Sequence, residues 1–239
     1  MIANMDKQPH ISVLMSVFNA EEVISDAIES ILDQDYENFE FLIMNDASTD
    51  GTPSILETYQ TSDSRMKVFH NKENLGLTVS LNKLIHNSKG NIIFRQDADD
   101  TSYLNRLSFQ VQQMQEKGYN VCVTKAKVKG SKKARPHLSY YLPYKLVMKL
   151  KNPFIHGTLA IRRETLLEVG TYDENFYFAQ DYKLYAELIN KKYKIHKIYK
   201  ILYNLNTVNN ISTKFASKQK YYSDCVKKKK LPDLRFRDF

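Results

Sequence analysis

Between residues 11 and 95 the apolar side chains switch repeatedly between a strand period and a helix period, and few folds accept that pattern. Ile11 to Val17 is a β-rich apolar run, after which Val23, Ile24, Ala27, Ile28, Ile31 and Leu32 recur at helical spacing. Asn19, with Glu22 three positions on, is expected to open that helix with a capping box. Phe39 to Met44 and Met66 to His70 read as further strands, separated by a short helix over Pro53 to Tyr59. Leu77 to Asn87 carries Leu77, Leu81, Leu84 and Ile85 on one helical face, and Asn91 to Arg95 is a fourth strand. Successive βα units predict an α/β fold, a Rossmann-like, mostly parallel sheet flanked by helices on both faces. With 239 residues, 42% of them hydrophobic, the chain is long enough for one such domain plus an appendage.

Open α/β sheets bind ligands beyond the carboxyl ends of their strands. Three polar segments fall there: Ser16 to Asn19, Asn45 to Ser48, and Asp97 to Asp100. The last holds three carboxylates within four residues, directly after a buried strand. Like charges this close repel unless a cation compensates them, and an all-oxygen donor set suits Mg2+ or Mn2+. Because such ions take few protein carboxylates and share substrate phosphates, the pattern predicts a metal-held diphosphate. A solvated acidic turn, with Asp100 or Thr101 capping the next helix, is an equally open reading of the cluster alone. The first strand is not followed by Gly-x-Gly-x-x-Gly and the chain has no Gly-Lys-Ser/Thr loop, which disfavours a dinucleotide cofactor and a P-loop ATPase.

Cys122 and Cys225 are too few for a disulfide framework or a thiolate metal cluster, so a reducing, cytoplasmic setting is expected. Met1 to His10 has no apolar leader core, and no apolar run approaches the ~20 residues of a membrane span. The net charge of +8 is concentrated in Lys125 to Arg135 and Lys214 to Arg237. Without an RNA-binding motif beside them, these runs fit solvated faces or contact with anionic lipid better than nucleic acid.

Taken in order, Val13 to Asn19, Ile43 to Thr52, Asn71 to Asn82 and Arg95 to Asp100 resemble the successive motifs of family 2 glycosyltransferases of the GT-A fold. The similarity continues through Pro153 to Thr158, Arg162-Arg163, Tyr172-Asp173 and Phe178 to Tyr182, and so covers roughly residues 10 to 215. The resemblance implies that Ser16, Phe18 and Asn19 line the nucleotide pocket, with Phe18 stacking on the base and Asp46 accepting from a uracil ring. It implies that Asp99 contacts metal and diphosphate, with Asp97 or Asp100 at the ribose or completing the metal shell. It also places His156 and Arg163 near the donor and makes Asp181 the catalytic base. Two departures stand out: Leu81 occupies a position where relatives often carry arginine, leaving Lys72 or Lys83 to meet the diphosphate, and Asn206 replaces a histidine that can ligate metal.

Asp181 also has a reading of its own. An inverting glycosyl transfer needs one carboxylate to take the acceptor hydroxyl's proton, and Asp181 opens an amphipathic helix after Phe176-Tyr177-Phe178. A simple first-turn aspartate would look the same. Leu138 to Leu150, rich in Tyr and Leu among lysines, suits either a sugar platform or an amphipathic cover for the sheet. The expected organisation is a nucleotide-sugar region over 1–120, an acceptor and base region over 121–213, and a basic tail over 214–239, all within one GT-A domain. The tail, with Lys227 to Lys230 followed by Leu231, Leu234, Phe236 and Phe239, is expected to be amphipathic or disordered and to suit an anionic membrane surface. The function expected is an inverting transfer of a hexose or N-acetylhexosamine from a nucleotide-sugar donor, most simply a UDP-sugar. The acceptor is expected to be a growing glycan or lipid-linked saccharide of a surface polysaccharide, and the site the inner face of the cytoplasmic membrane. A non-catalytic sugar-nucleotide or glycan-binding module of the same fold is the alternative.

Overall fold

The computed structural model describes residues 10–208 and 214–236. Residues 1–9, where the absent leader was expected, lie outside the described residues, as do Arg237, Phe239 and the side chain of Leu234. The four expected N-terminal strands form: β1 (Ile11–Val17), β2 (Phe39–Asn45), β3 (Met66–His70) and β4 (Ile92–Arg95). They run parallel in the order β3-β2-β1-β4, with Val17 level with Asn45 and Leu14 level with Arg95. β1, β2 and β4 are buried almost throughout because both faces are covered, as a parallel sheet requires, while the edge strand β3 is half exposed. Alternate residues of β1 divide between two cores: Leu14 joins α3 (Leu77–Asn87), while Val13 and Met15 join α1 (Ile24–Leu32).

The helix α1 begins later than the Asn19–Glu22 spacing predicts, and no side chain caps it. Asn19 instead takes a left-handed conformation (φ 49°). Its N–H donates to Ser48 Oγ (3.0 Å) and its Oδ1 accepts from Thr49 N–H (2.8 Å). A cross-loop clasp between the ends of β1 and β2 has displaced the local cap. Asn45, too, closes its own turn, accepting from Ser48 N–H through Oδ1 (3.0 Å).

The helix α2 (Thr52–Ser62) packs Leu56 into the same core as α1, and beyond β4 the helix α4 (Arg106–Lys117) adds Leu107, Val111 and Met114 to that core. The short β5 (Thr101–Ser102) precedes α4 and the long β6 (Val121–Val128) follows it, with β7 (Ala134–Arg135) folded back on β6. A four-residue helix α5 (Tyr144–Val147) leads to β8 (Ala160–Arg162), α6 (Arg163–Glu168), α7 (Gln180–Asn190) and β9 (Ile195–Leu205). Strand β8 inserts antiparallel between β4 and β6, so the sheet is parallel in its N-terminal half and mixed beyond it.

The basic C-terminal run is not a free tail over its first half. Ala216–Lys228 forms α8, which buries Tyr222, Cys225 and Val226 in the same core as Leu184 and Leu188 of α7. Lys227 pairs with Asp224, Arg235 with Asp233, and Phe236 packs its ring 4.6 Å from Tyr221.

Candidate active site

The ends of β1, β2 and β4 meet on one edge of the sheet, and the three polar segments meet with them. Ser16, next to last in β1, lies level with Met44, and Phe18 just beyond the strand is 47% exposed, an open aromatic face rather than a core ring. Asp46 behaves differently. Only 2% exposed, it accepts from Asn71 Nδ2 (2.7 Å) and Leu75 N–H (2.9 Å) on Oδ1 and from Gly76 N–H (2.8 Å) on Oδ2. Three protein donors thus occupy the carboxylate expected to meet a base ring, and it anchors the 71–76 loop. Lys83 is also engaged there, donating from Nζ to Asn71 Oδ1 (2.7 Å). Gly76 is required at its place, since its φ is +82° and a Cβ would enter the Tyr177 ring.

The acidic segment is held from below by two buried arginines. Arg95, 3% exposed, pairs with Asp97 Oδ1 (2.6 Å) and leaves its Nε without a partner. Arg106 is fully buried and joins the segment to its neighbour, donating to Gln96 Oε1 (2.9 Å), Arg95 O (2.7 Å) and Gly157 O (2.7 Å). Burial pulls its pKa down to about 10. Gly157 packs so tightly that a Cβ would collide with the Tyr203 hydroxyl and stand 2.7 Å from Asp97 Oδ2.

Within this cradle the three carboxylates do not converge as a ligand set. Asp100 is turned inward, accepting from Asn206 N–H (2.6 Å), and its pKa is raised by burial and then by the charges of Asp97 and Asp99. Asp97 leans to Arg95. Asp99 makes no such pair, and burial, reinforced by Asp97, raises its pKa to about 6. Among the described residues no three His, Cys, Asp or Glu side chains gather to hold a metal by themselves. Among the expected Asp97, Asp99 and Asp100, a backbone donor takes up Asp100, which leaves Asp97 and Asp99 as the oxygen donors of the segment. Those two oxygen-donor side chains carry charge that the protein compensates incompletely, which fits a hard dication completed by diphosphate and water. Asn206, expected near this metal, meets Asp100 through its backbone and uses Oδ1 to accept from Val208 N–H (3.0 Å).

Asp181 lies in the first turn of α7, set by Ala179 in a left-handed conformation (φ 53°) and close enough to Asp97 for the two charges to interact. Its Oδ2 accepts from Asn152 Nδ2 (2.6 Å) and its Oδ1 from Tyr182 N–H (2.7 Å). Burial raises its pKa to about 6, the charge of Asp97 adds to the rise, and the Tyr182 hydrogen bond opposes it. A carboxylate poised there accepts a proton more readily than an ordinary aspartate while remaining ionised at neutral pH. His156, in the 3-10 turn His156–Thr158, exchanges a hydrogen bond with the Tyr172 hydroxyl (Nε2 to O, 2.6 Å). Burial and then the charge of Arg95 lower its pKa to about 3, so it is a neutral polar group.

Arg163 is not brought to this cleft. Because β8 runs antiparallel to β4, Ile92 sits opposite Arg162, and Arg163 emerges at the start of β4, where its Nε donates to Ser88 Oγ (3.2 Å). Arg95, Arg106, Asn152 and Tyr172 were not among the expected site residues. Of these, Arg95 and Tyr172 fall in segments that carry the resemblance, and Arg95 has a further signal, an arginine closing an apolar strand directly before three acids.

Residues 12–170 match the family Glycosyl transferase family 2, and the chain belongs to that family. It is 39% identical over 163 residues to the provisionally assigned glycosyltransferase EpsE of Bacillus subtilis (strain 168), a match covering 66% of this chain and 58% of EpsE. The chain thus spans little more than half of that relative's length. An uncharacterized glycosyltransferase of Methanocaldococcus jannaschii, MJ1057, is 30% identical over 234 residues, covering 93% of this chain and 79% of that one. The fold is the GT-A glycosyltransferase fold. The Pyrobaculum calidifontis mannosyltransferase PcManGT, solved with GDP-Man and Mn2+, superposes with a TM-score of 0.74 at 20% identity, covering 98% of this chain and 66% of that one. Staphylococcus aureus TarS, solved with UDP-GlcNAc, gives 0.72 at 20% identity, covering 86% and 60%.

Proposed function

We propose that this protein transfers a hexosyl or N-acetylhexosaminyl group, with inversion, from a nucleoside-diphosphate sugar to a hydroxyl of a growing surface glycan or its lipid-linked precursor. The observation carrying this reading is the nearness of two carboxylate groups: Asp97 and Asp99 after the end of β4, and Asp181 at the start of α7, its pKa raised to about 6 by burial and then by the charge of Asp97. A donor with its base near Phe18 and its diphosphate toward Asp99 would present the anomeric carbon to the Asp181 side. Asp181 then takes the acceptor hydroxyl's proton as the hydroxyl oxygen bonds to the anomeric carbon and the diphosphate leaves. When bound at Asp97 and Asp99, Mn2+ or Mg2+ would supply charge stabilisation to the departing diphosphate. Asn152 holds Asp181 in place, and the Arg95 pair holds Asp97.

The UDP-GlcNAc and GDP-Man bound in the two fold neighbours support a sugar-nucleotide donor, and the choice of a UDP-sugar rests on the sequence resemblance. A panel of UDP-, GDP- and dTDP-sugars, incubated with Mn2+ and followed by release of the nucleoside diphosphate, tests the assignment. Turnover of one or two donors is expected. Failure of every donor, with and without a glycan acceptor, would remove the transferase reading.

A further inference from the structure

Between Glu116 and Glu164 the chain contains no Asp or Glu and twelve Lys or Arg, and between Glu187 and Asp224 it again contains no acid. The fold brings these two stretches together, because β6 from the first pairs in parallel with β9 from the second. Among the described residues of the first stretch, only Lys129 reaches a carboxylate, that of Asp26 (3.1 Å). A cationic face with so little internal compensation attracts an anionic surface.

The segment laid across this face is apolar on two sides. Tyr140 and Met148 join the core and Val147 is buried beside them. Leu138, Leu142, Leu146 and Leu150, four residues apart, are 54 to 77% exposed. Single exposed leucines are ordinary, but four in thirteen residues, with Tyr141 and Tyr199 exposed beside them, form a patch that water does not favour. The segment is fixed rather than loosely draped. Lys125 of β6 donates to the Tyr141 hydroxyl (3.0 Å), and Lys197 of β9 donates to the carbonyls of Tyr140 (2.6 Å) and Leu142 (2.9 Å). The Tyr199 ring lies 5.4 Å from those of both Tyr140 and Tyr141.

We propose that Leu138 to Leu150, with the flanking lysines of β6 and β9, is a docking surface for an anionic lipid bilayer. Leucines enter the acyl boundary, tyrosines sit at the headgroup level, and Lys145 and Lys149 meet the lipid phosphates. Nucleic acid would satisfy the lysines and leave the leucines in water. A second copy of this chain meeting the same face would oppose cation to cation. The C-terminal run competes poorly as an anchor because Lys227 and Arg235 are already paired and Phe236 is packed on Tyr221. The surface also adjoins the reaction cleft, since Tyr182 donates to the Met148 carbonyl and Asn152, two residues past Leu150, holds Asp181. A bilayer seated here would deliver a lipid-linked hydroxyl to the Asp181 end of the cleft. The inference goes beyond the transferase reading, and vesicle binding can be read without any donor turnover.

The test is co-sedimentation of the full chain with phosphatidylcholine vesicles containing phosphatidylglycerol, against phosphatidylcholine alone, with folding of each variant checked by its thermal transition. Binding to the anionic vesicles, weakened by salt, is expected. Lys145→Gln with Lys149→Gln should weaken it by about fivefold per lysine. Leu142→Ser with Leu146→Ser should weaken it by roughly tenfold or more while leaving donor turnover in vesicle-free buffer unchanged. Binding unaffected by the leucine pair, or lost instead on changing Lys227 to Lys230 to glutamine, would overturn the proposal. So would a wild-type dimer in vesicle-free solution that the leucine pair converts to monomer.

Discussion

Replacing Asp181 by asparagine should make the protein more stable and nearly inactive at once. The carboxyl has a pKa near 6 in the folded chain against an ordinary 3.8, so the folded state binds the proton more tightly than the unfolded state. Below pH 3.8 both states are protonated and the site costs nothing. As pH rises from there through 6, the unfolded chain ionises first and stability falls, reaching a constant deficit above about 7. That rise corresponds to about 3 kcal/mol at full weight. Two effects reduce the benefit of removing the charge. The side chain keeps some solvent contact. An asparagine also turns a donor toward Asn152 Nδ2, whose own Oδ1 is held by Phe154 N–H (3.0 Å). A net gain of ~1–2 kcal/mol at pH 8 is expected, or roughly 2–8 °C in Tm. The gain should shrink toward zero or reverse at pH 4.5. Scanning calorimetry of both proteins in EDTA at the two pH values reads this directly. In parallel, kcat should fall by about 10²–10⁴-fold with donor affinity nearly unchanged. Wild-type kcat/KM should rise with pH through about 6 as Asp181 ionises. Equal Tm changes at both pH values would refute the buried-carboxylate argument, and a near-normal kcat would remove Asp181 from the chemistry.

Arg106→Met should cost ~3–5 kcal/mol, because it strips the donors from the Arg95 and Gly157 carbonyls and from Gln96 inside a closed core; a urea titration with an unchanged midpoint would contradict that role. Gly76→Ala should cost ~1–3 kcal/mol, since a Cβ at φ +82° also meets the Tyr177 ring, and it should weaken donor binding by loosening the Asp46 anchor; wild-type stability and affinity would show that the loop adapts freely.

The parallel half of the fold was legible because β1, β2 and β4 are buried on both faces and therefore read as near-unbroken apolar runs separated by helix-period segments. Strand direction in the second half was not. Ala160–Arg162 is three residues long, and nothing in so short a run distinguishes parallel from antiparallel insertion; the resemblance alone put Arg163 near the donor, and the antiparallel strand carries it to the start of β4. The position of Asn19 was clear and its partner was not, because a capping side chain and a cross-loop clasp use the same short polar residue. The acidic cluster was visible as composition, whereas the division of labour within it depends on contacts from far along the chain: Arg95 behind Asp97, Asn206 N–H on Asp100, and Asn152 on Asp181. The C-terminal run looked like a tail because its lysines dominate the composition, while Tyr222, Cys225 and Val226 needed only one stripe of α8 to reach the core.

The division between donor binding at Asp99 and proton transfer at Asp181 is the centre of this account, and one calorimetric comparison addresses it. The sugar nucleotide that the wild type turns over is titrated, with Mn2+ present, into the wild type, Asp99→Ala and Asp181→Asn. Tight binding to the wild type and to Asp181→Asn, lost in Asp99→Ala and lost in all three when EDTA replaces Mn2+, is the predicted result. Undiminished, EDTA-insensitive binding by Asp99→Ala would contradict it.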